Sequence, residues 1–498
     1  MPRAPTNFTI RFLAPLLAAV LGACSMVPEY SRPAVPTPAG WAEPVAEPAA
    51  EARPGTRPGA GIETPWPSPD WWQGFDSPAL AVLVAAAERN NTNIGQAAAR
   101  VLQAEAQAKI AGADLLPSLD GSLGADRTWR GSGRTSTSSR SGVSDSLSAD
   151  LSVSYELDLF GKNRAALAAA EASLMFSRFD REAVALTVVS NVAQTYFQVL
   201  QFRERLAVAL RILEITEGVL QVVTARVENG AASPLDLAQQ RALVATQRAS
   251  IPPLQTQLRQ AENALAILLG THLAALGATE GALLDIRPPS PTAGLPSELI
   301  VRRPDIQAAE ARLIAANAEI GSARAAYFPT ISLTGVLGYE SAALASLFNP
   351  ASRSANIAGS LLQAIFRGGA LEGQVELSEA RFRELAESYR EIVLTALGEV
   401  HDALVAARRT AEQESLQAAA VEQARLAYQL AEARYRAGAV DLLTVLDAQR
   451  TLSQTEDQIV QIRFQRLQAS VALFKALGGG WRLDGTAPEK ADATPARP

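Results

Sequence analysis

The chain has 498 residues, 48% hydrophobic and 6% aromatic, and its 45 basic and 51 acidic residues leave a formal charge of −6. That balance gives no hint of nucleic acid as a partner, and one Cys with two His excludes an intrachain disulfide framework and a Cys/His zinc cluster within one chain. Length alone suggests two or more domains.

The first residues, MPRAPTNFTIRFLAPLLAAVLGAC, carry Arg3 and Arg11 without an acid, then an apolar run too short to span a membrane. This predicts an export signal over residues 1–23. The run ends Leu21-Gly22-Ala23-Cys24, which resembles the bacterial lipoprotein processing box. By that resemblance Cys24 becomes the first residue and carries covalent N-acyl and diacylglycerol groups, and Ser25 behind it directs sorting to the outer membrane. The alternative is an ordinary Cys near a conventional cleavage site. Residues 24–70, rich in Pro, Ala and Glu, predict an extended or disordered tether, and 482–498 a disordered tail. No later segment offers the ~18 uninterrupted apolar residues of a transmembrane helix.

Between these ends the chain repeats itself. Asn93–Gly124 aligns with Asp305–Val336, 212 positions on, with Ile94/Ile306, Arg100/Arg312, Ala104/Ala316 and Pro117/Pro329 coinciding. VALTVVSNV at Val184 matches IVLTALGEV at Ile392, and Gly230 matches Gly438, both 208 positions on. A near-constant offset predicts two structural halves, residues 71–290 and 291–481, each running helix, strand, strand, very long helix, helix.

Four strands are expected at about 118–129, 147–160, 330–339 and 354–366. Each alternates apolar and polar residues, as in Leu147, Ala149, Leu151, Val153 and Tyr155 against Ser146, Ser148, Asp150, Ser152 and Ser154. Gln363 interrupts the apolar face of the fourth. A tilted transmembrane strand needs about 9 to 11 residues. The loops within each strand pair are long and mostly polar, and Phe160, Tyr327, Phe328 and Phe366 at one end face Trp129 and Tyr339 at the other. Four strands leave open edges that lipid cannot satisfy, so the barrel must be shared between chains. Two copies would give eight strands with a filled interior, three would give twelve with a lumen.

Lys162 to about Val227 contains no Pro and, apart from Gly218, no Gly, and Leu371–Arg436, also without Pro but with Gly373 and Gly398, could match it as a helix. Each predicts a helix of roughly 65 residues, which belongs to a coiled-coil-like assembly. Phe382, Leu385, Tyr389, Ile392, Ala396, Val400 and Ala403 recur near every 3.5 residues, implying a left-handed supercoil. In ENGAASPLD, Gly230 suits the left-handed stop, Ser233 the N-cap, Pro234 the first turn and Asp236 the N3 position; Gly438 and Asp441 repeat the stop and start. Both are tight αα-hairpins.

YELDLFGK (Tyr155–Lys162), IFRGGALEG (Ile365–Gly373), RRPDIQAAEARL (Arg302–Leu313), WWQGFDSPAL (Trp71–Leu80), KALGGGW (Lys475–Trp481) and the paired hairpins resemble the outer membrane factor family, the TolC-type efflux channels, and within it the NodT/OprM-like lipoprotein branch. The sequence departs from the family pattern at Ala364 and Arg367. The resemblance implies an α+β membrane protein. Three chains would form a homotrimer with a twelve-stranded β-barrel, four strands per chain, continued by a long periplasmic α-helical barrel. It implies a passive exit duct in the outer membrane, with the hairpin ends docking a periplasmic membrane-fusion adaptor and an inner-membrane pump, of RND type, supplying the energy. By position in LLTVLDAQR, Leu443 would constrict the bore, Asp447 would present a threefold carboxylate ring, and Arg450 would pair with a carboxylate to hold neighbouring helices. Read without the family, Asp447 and Arg450 are an i, i+3 surface pair. A type I protein-secretion duct and a lipid-anchored periplasmic coiled-coil scaffold are the alternatives. An enzyme is not expected: no nucleophile stands with a base, and no cofactor or metal site is expected.

Overall fold

The computed structural model describes residues 26–41, 67–130, 142–275, 281–289, 294 and 296–481; Cys24, the segment 42–66 and the tail after Trp481 lie outside the described residues. Helices α1 (Pro78–Asn90) and α2 (Thr92–Ala113) precede β1 (Ser118–Arg130) and β2 (Gly142–Leu157), followed by α3 (Lys162–Glu228) and α4 (Pro234–Leu268). Helix α5 (Pro304–Ala325), β3 (Thr330–Ser341), β4 (Arg353–Leu362), α6 (Ala370–Arg436) and α7 (Leu442–Ala476) then repeat the order from α2. The helices match in length, with 22, 67 and 35 residues in both runs. No described helix is long and apolar enough to cross a membrane.

Two compact units emerge. The first contains the described residues up to Pro33, Arg100–Arg178 and Ala308–Tyr389; the second contains Ala34–Ala99, Phe179–Gln307 and Arg390 onward.

In the first unit the strands form one antiparallel sheet in the order β1-β2-β3-β4. Leu119 stands opposite Val153, Leu151 opposite Leu337, and Leu337 opposite Ala355. Because odd-numbered residues oppose odd ones throughout, the alternation of all four strands falls on the same two faces. One face collects Leu119, Leu123, Leu151, Val153, Leu337 and Ile357, the other Ser118, Asp120, Ser152, Ser154 and Thr334. The hydroxyls of Ser118 and Ser154 meet across the polar face at 2.8 Å. At the end where the helices attach, Phe160 and Phe328 stack at 4.6 Å.

Two strands differ from the pattern-based expectation. Strand β2 runs 142–157 instead of 147–160. It stops early because Asp158 turns to accept hydrogen bonds from the backbone of Asn163 and Arg164, capping α3. It starts early because pairing with β1 extends to Val143 and Gly142. Strand β4 ends at Leu362, not 366. The Gln363 amide donates to the carbonyls of Tyr327 and Ala364, and Gly368 and Gly369 turn the chain at positive φ.

Nor are residues 26–33 a free tether. They lie extended along α5, where Asn317 donates to the Pro28 carbonyl at 2.7 Å and Arg32 forms two 2.8 Å bonds to Glu310. Burial and the Glu310 carboxylate raise the Tyr30 phenol, keeping it a hydrogen-bond donor to Glu310. Gly321 makes the close approach possible, since a Cβ there would lie 2.7 Å from the Val27 Cα.

The second unit is built on an aromatic core. WWQGF folds as a 3-10 turn that stacks Trp71 on Phe474 at 5.1 Å, while Phe75 packs on Phe197 at 5.1 Å. Ser77 caps α1 and shares a 3.2 Å hydrogen bond with Tyr196. Two distant motifs meet: Arg303 donates to the Ala476 carbonyl, and Trp481 donates to that of Arg302 at 2.6 Å. A Cβ on Gly478 would press the same Arg302 carbonyl at 2.9 Å, which accounts for a glycine at that exit from α7.

Candidate functional site

The apolar face of the sheet is bare. Leu123 is 86% and Ile357 92% exposed, and Leu119, Trp129, Leu151, Leu337 and Leu361 are exposed with them. Among the described residues, the outer edges of β1 and β4 carry no strand. An apolar sheet face of this size and two unpaired edges are costly in water, and the edges are costlier still in lipid unless further strands close them.

In the second unit both hairpins use the same local chemistry. Gly230 adopts φ +69° and Gly438 φ +75°. The amide of Ala231 donates to Arg226 and that of Gly230 to Val227; Ala439 donates to Arg434 and Gly438 to Tyr435. These are two Schellman stops, which need a residue free to enter the left-handed region. Ser233 and Asp236 form a reciprocal capping box at the start of α4, with Pro234 in its first turn. Asp441 caps α7 by accepting from the Thr444 hydroxyl at 2.7 Å and its amide at 3.1 Å, which holds the Asp441 carboxyl below its ordinary value.

Leu443, Asp447 and Arg450 occupy one exposed stripe of α7, opposite the buried Leu442, Val445, Leu446, Gln449 and Leu452. The i, i+4, i+7 spacing explains their alignment. Arg450 meets Asp447 of its own helix at 3.3 Å, so within one chain this pair joins no neighbouring helices.

Pattern reading missed the contacts that bind the helices of this unit together. Arg226 at the end of α3 donates to the carbonyls of Tyr435 and Arg436 at the end of α6, at 2.8 and 3.1 Å. Glu456 on α7, 5% exposed, accepts from Arg211 of α3 at 2.9 Å and Arg425 of α6 at 2.8 Å. Arg205 meets Asp457 at 2.6 Å, and Glu414 meets Arg463 and Arg466, both at 2.7 Å. The one sequence signal was that Arg226 and Arg434 hold the same position relative to their hairpin glycines.

A sheet with an exposed apolar face and two open edges, in a chain carrying paired helical hairpins, fits the class of outer-membrane channel proteins. The model of the family described as outer membrane efflux protein matches residues 83–271 and 295–479, and the chain belongs to that family. It is 43% identical over 476 residues, 95% of this chain and 97% of the relative, to the pyoverdine export outer membrane protein OpmQ of Pseudomonas putida. Outer membrane protein OprJ of Pseudomonas aeruginosa is 38% identical over 94% of this chain and 95% of that one. The crystal structure of the Campylobacter jejuni CmeC outer membrane channel has a TM-score of 0.83 at 26% identity, covering 92% of this chain and 95% of that one. The chain is thus an outer-membrane efflux channel, from a family of transport proteins and not of enzymes.

Proposed function

We propose that three copies pair β1 of one chain with β4 of the next, closing a twelve-stranded barrel, and that their long helices enclose a tunnel in the periplasm. Two copies would give eight strands, an interior that side chains fill. Three leave the lumen that an exit duct needs. The observation that carries this reading is the sheet itself, with its apolar face exposed and both edges open.

The duct is passive. Its hairpin turns, around Gly230, Ser233, Asp236, Gly438 and Asp441, dock a periplasmic adaptor, and an inner-membrane pump of RND type drives the cargo. Cys24 carries the acyl groups that anchor the chain in the outer membrane. In the trimer the stripe of Leu443, Asp447 and Arg450 converges on the axis, where three carboxylates favour cations and repel anions. The equal lengths of matching helices support a duplicated half-subunit as the building block. Similarity to a pyoverdine export protein makes pyoverdine the first cargo to assay. The test is the mass of the detergent-extracted oligomer together with its conductance in planar bilayers. A trimer that conducts is expected; a monomer, or a trimer without conductance, overturns the duct.

A further inference from the structure

Two rows of the sheet's apolar face lie side by side in register. One runs Gly121, Leu151, Leu337; the other runs Leu123, Ala149, Tyr339, Arg353. Gly121 and Ala149 stand where their neighbours carry bulk, so the surface drops between Leu123, Leu151, Leu337 and Tyr339. The result is a cleft of about 670 Å³. Its rim is the β3–β4 connection, where Phe348 meets the Tyr339 ring at 5.6 Å and the exposed Arg353 opens β4.

The charges around this cleft are unevenly placed. Asp150, though adjacent, belongs to an even-numbered position and to the polar face. Arg127 and Asp145 share the apolar face but neutralise each other at 2.6 Å. Arg353 therefore brings positive charge to an apolar cleft whose strand partner is Tyr339. Beside it the same connection exposes Leu344 and Phe348, at 71% and 68%. A depression walled by leucines takes a methylene chain, and a guanidinium at its mouth takes a phosphate through paired N–H donors.

We propose that this cleft is a lipid site for the phosphorylated glycolipid of the outer leaflet, with an acyl chain in the depression and a phosphate on Arg353. The site rests on the barrel reading above, which turns this face to lipid and puts the strand-connecting end outward. Because the cleft spans the face of one chain's four strands, pairing further chains at β1 and β4 leaves it open.

Native mass spectrometry of the full-length protein in detergent tests it, using two probes: bis-phosphorylated lipid A and the same lipid after dephosphorylation. Wild type is expected to retain the phosphorylated lipid, and to hold it about tenfold more tightly than the dephosphorylated one, a difference of about 1.4 kcal/mol. Arg353→Gln loses that preference. Gly121→Leu, whose side chain meets nothing within 4 Å at its Cβ, fills the depression and weakens both lipids. Arg367→Gln, at the opposite end, behaves as wild type. Conductance in planar bilayers verifies that each variant is assembled, and Ala149→Leu replaces Gly121→Leu should that variant fail to assemble. Conducting variants that keep wild-type binding of both lipids overturn the site and leave annular lipid only. A protein that binds neither lipid, does not conduct and stays dispersed without detergent sinks the barrel reading first.

Discussion

The guanidinium of Arg226 lies 4.4 Å over the ring of Tyr435 and donates a 2.8 Å hydrogen bond to the carbonyl of that same residue. One side chain thus joins the last turn of α3 to the last turn of α6, and a cation placed at the C-terminus of α6 also suits its dipole. Arg226→Ala is expected to loosen the two hairpin ends by about 1 kcal/mol. Amide exchange in residues 432–440 should quicken, with Arg226→Lys intermediate because a lysine keeps the charge and loses the planar stack. Unchanged exchange in the alanine variant would show that the contact holds nothing.

Glu456 makes a stronger demand. Its carboxylate is buried and serves two helices, while Arg211 and Arg425 are each about half exposed. Removing the shared acceptor leaves two guanidiniums without their partner, although solvent recovers part of the loss. Glu456→Ala should cost about 2 kcal/mol, read as a lower thermal midpoint in detergent, and more than Glu412→Ala, whose pair with Arg409 lies in the open. Equal effects for the two variants would remove Glu456 from its place as a node.

Replacing Asp447 and Arg450 together by Ala should raise resting conductance in planar bilayers and admit large antibiotics into cells. The pair is solvent-exposed in one chain, so the same variant should change folding stability by no more than about 0.5 kcal/mol. Unchanged conductance excludes this stripe as the gate.

Gly321→Val tests the N-terminal strap. The added side chain would occupy space held by the Val27 Cγ2 and backbone, so the strap must lift and Arg32 must leave Glu310. Faster amide exchange over residues 27–32, with exchange in the β-sheet unchanged, is the expected result; protection at the wild-type level would mean that α5 yields instead.

The cap at Asp441 gives a pH dependence with a defined sign. Hydrogen bonds from Thr444 lower its carboxyl below the ordinary 3.8. A carboxyl depressed in the folded state contributes stability that is complete above its unfolded value and is lost as pH falls through the folded one. Protection from exchange at the start of α7, taken relative to the intrinsic rate at each pH, should therefore be flat from pH 7 to about 4, by the ordinary Asp value, and fall below. In Asp441→Asn that acid step should vanish.

Much of this molecule was legible from local chemistry. Strict alternation placed the four strands and their two faces, because a side chain's face is fixed by its position along its own strand. Gly230 with Ser233 and Pro234, and Gly438 with Asp441, placed both hairpins to within a residue, because stops and caps are made by groups three to five positions apart. What the chain could not declare in one dimension was which groups meet across it. Asp158 ended β2 early, Gln363 ended β4 early by reaching back to Tyr327, and residues 26–33 were held on α5 by Glu310 and Asn317. Arg226 found its carbonyl 209 positions away and Arg211 its carboxylate 245 away. Periodicity records how much of a helix is buried and on which side; the identity of the partner enters only when packed helices bring those sides together.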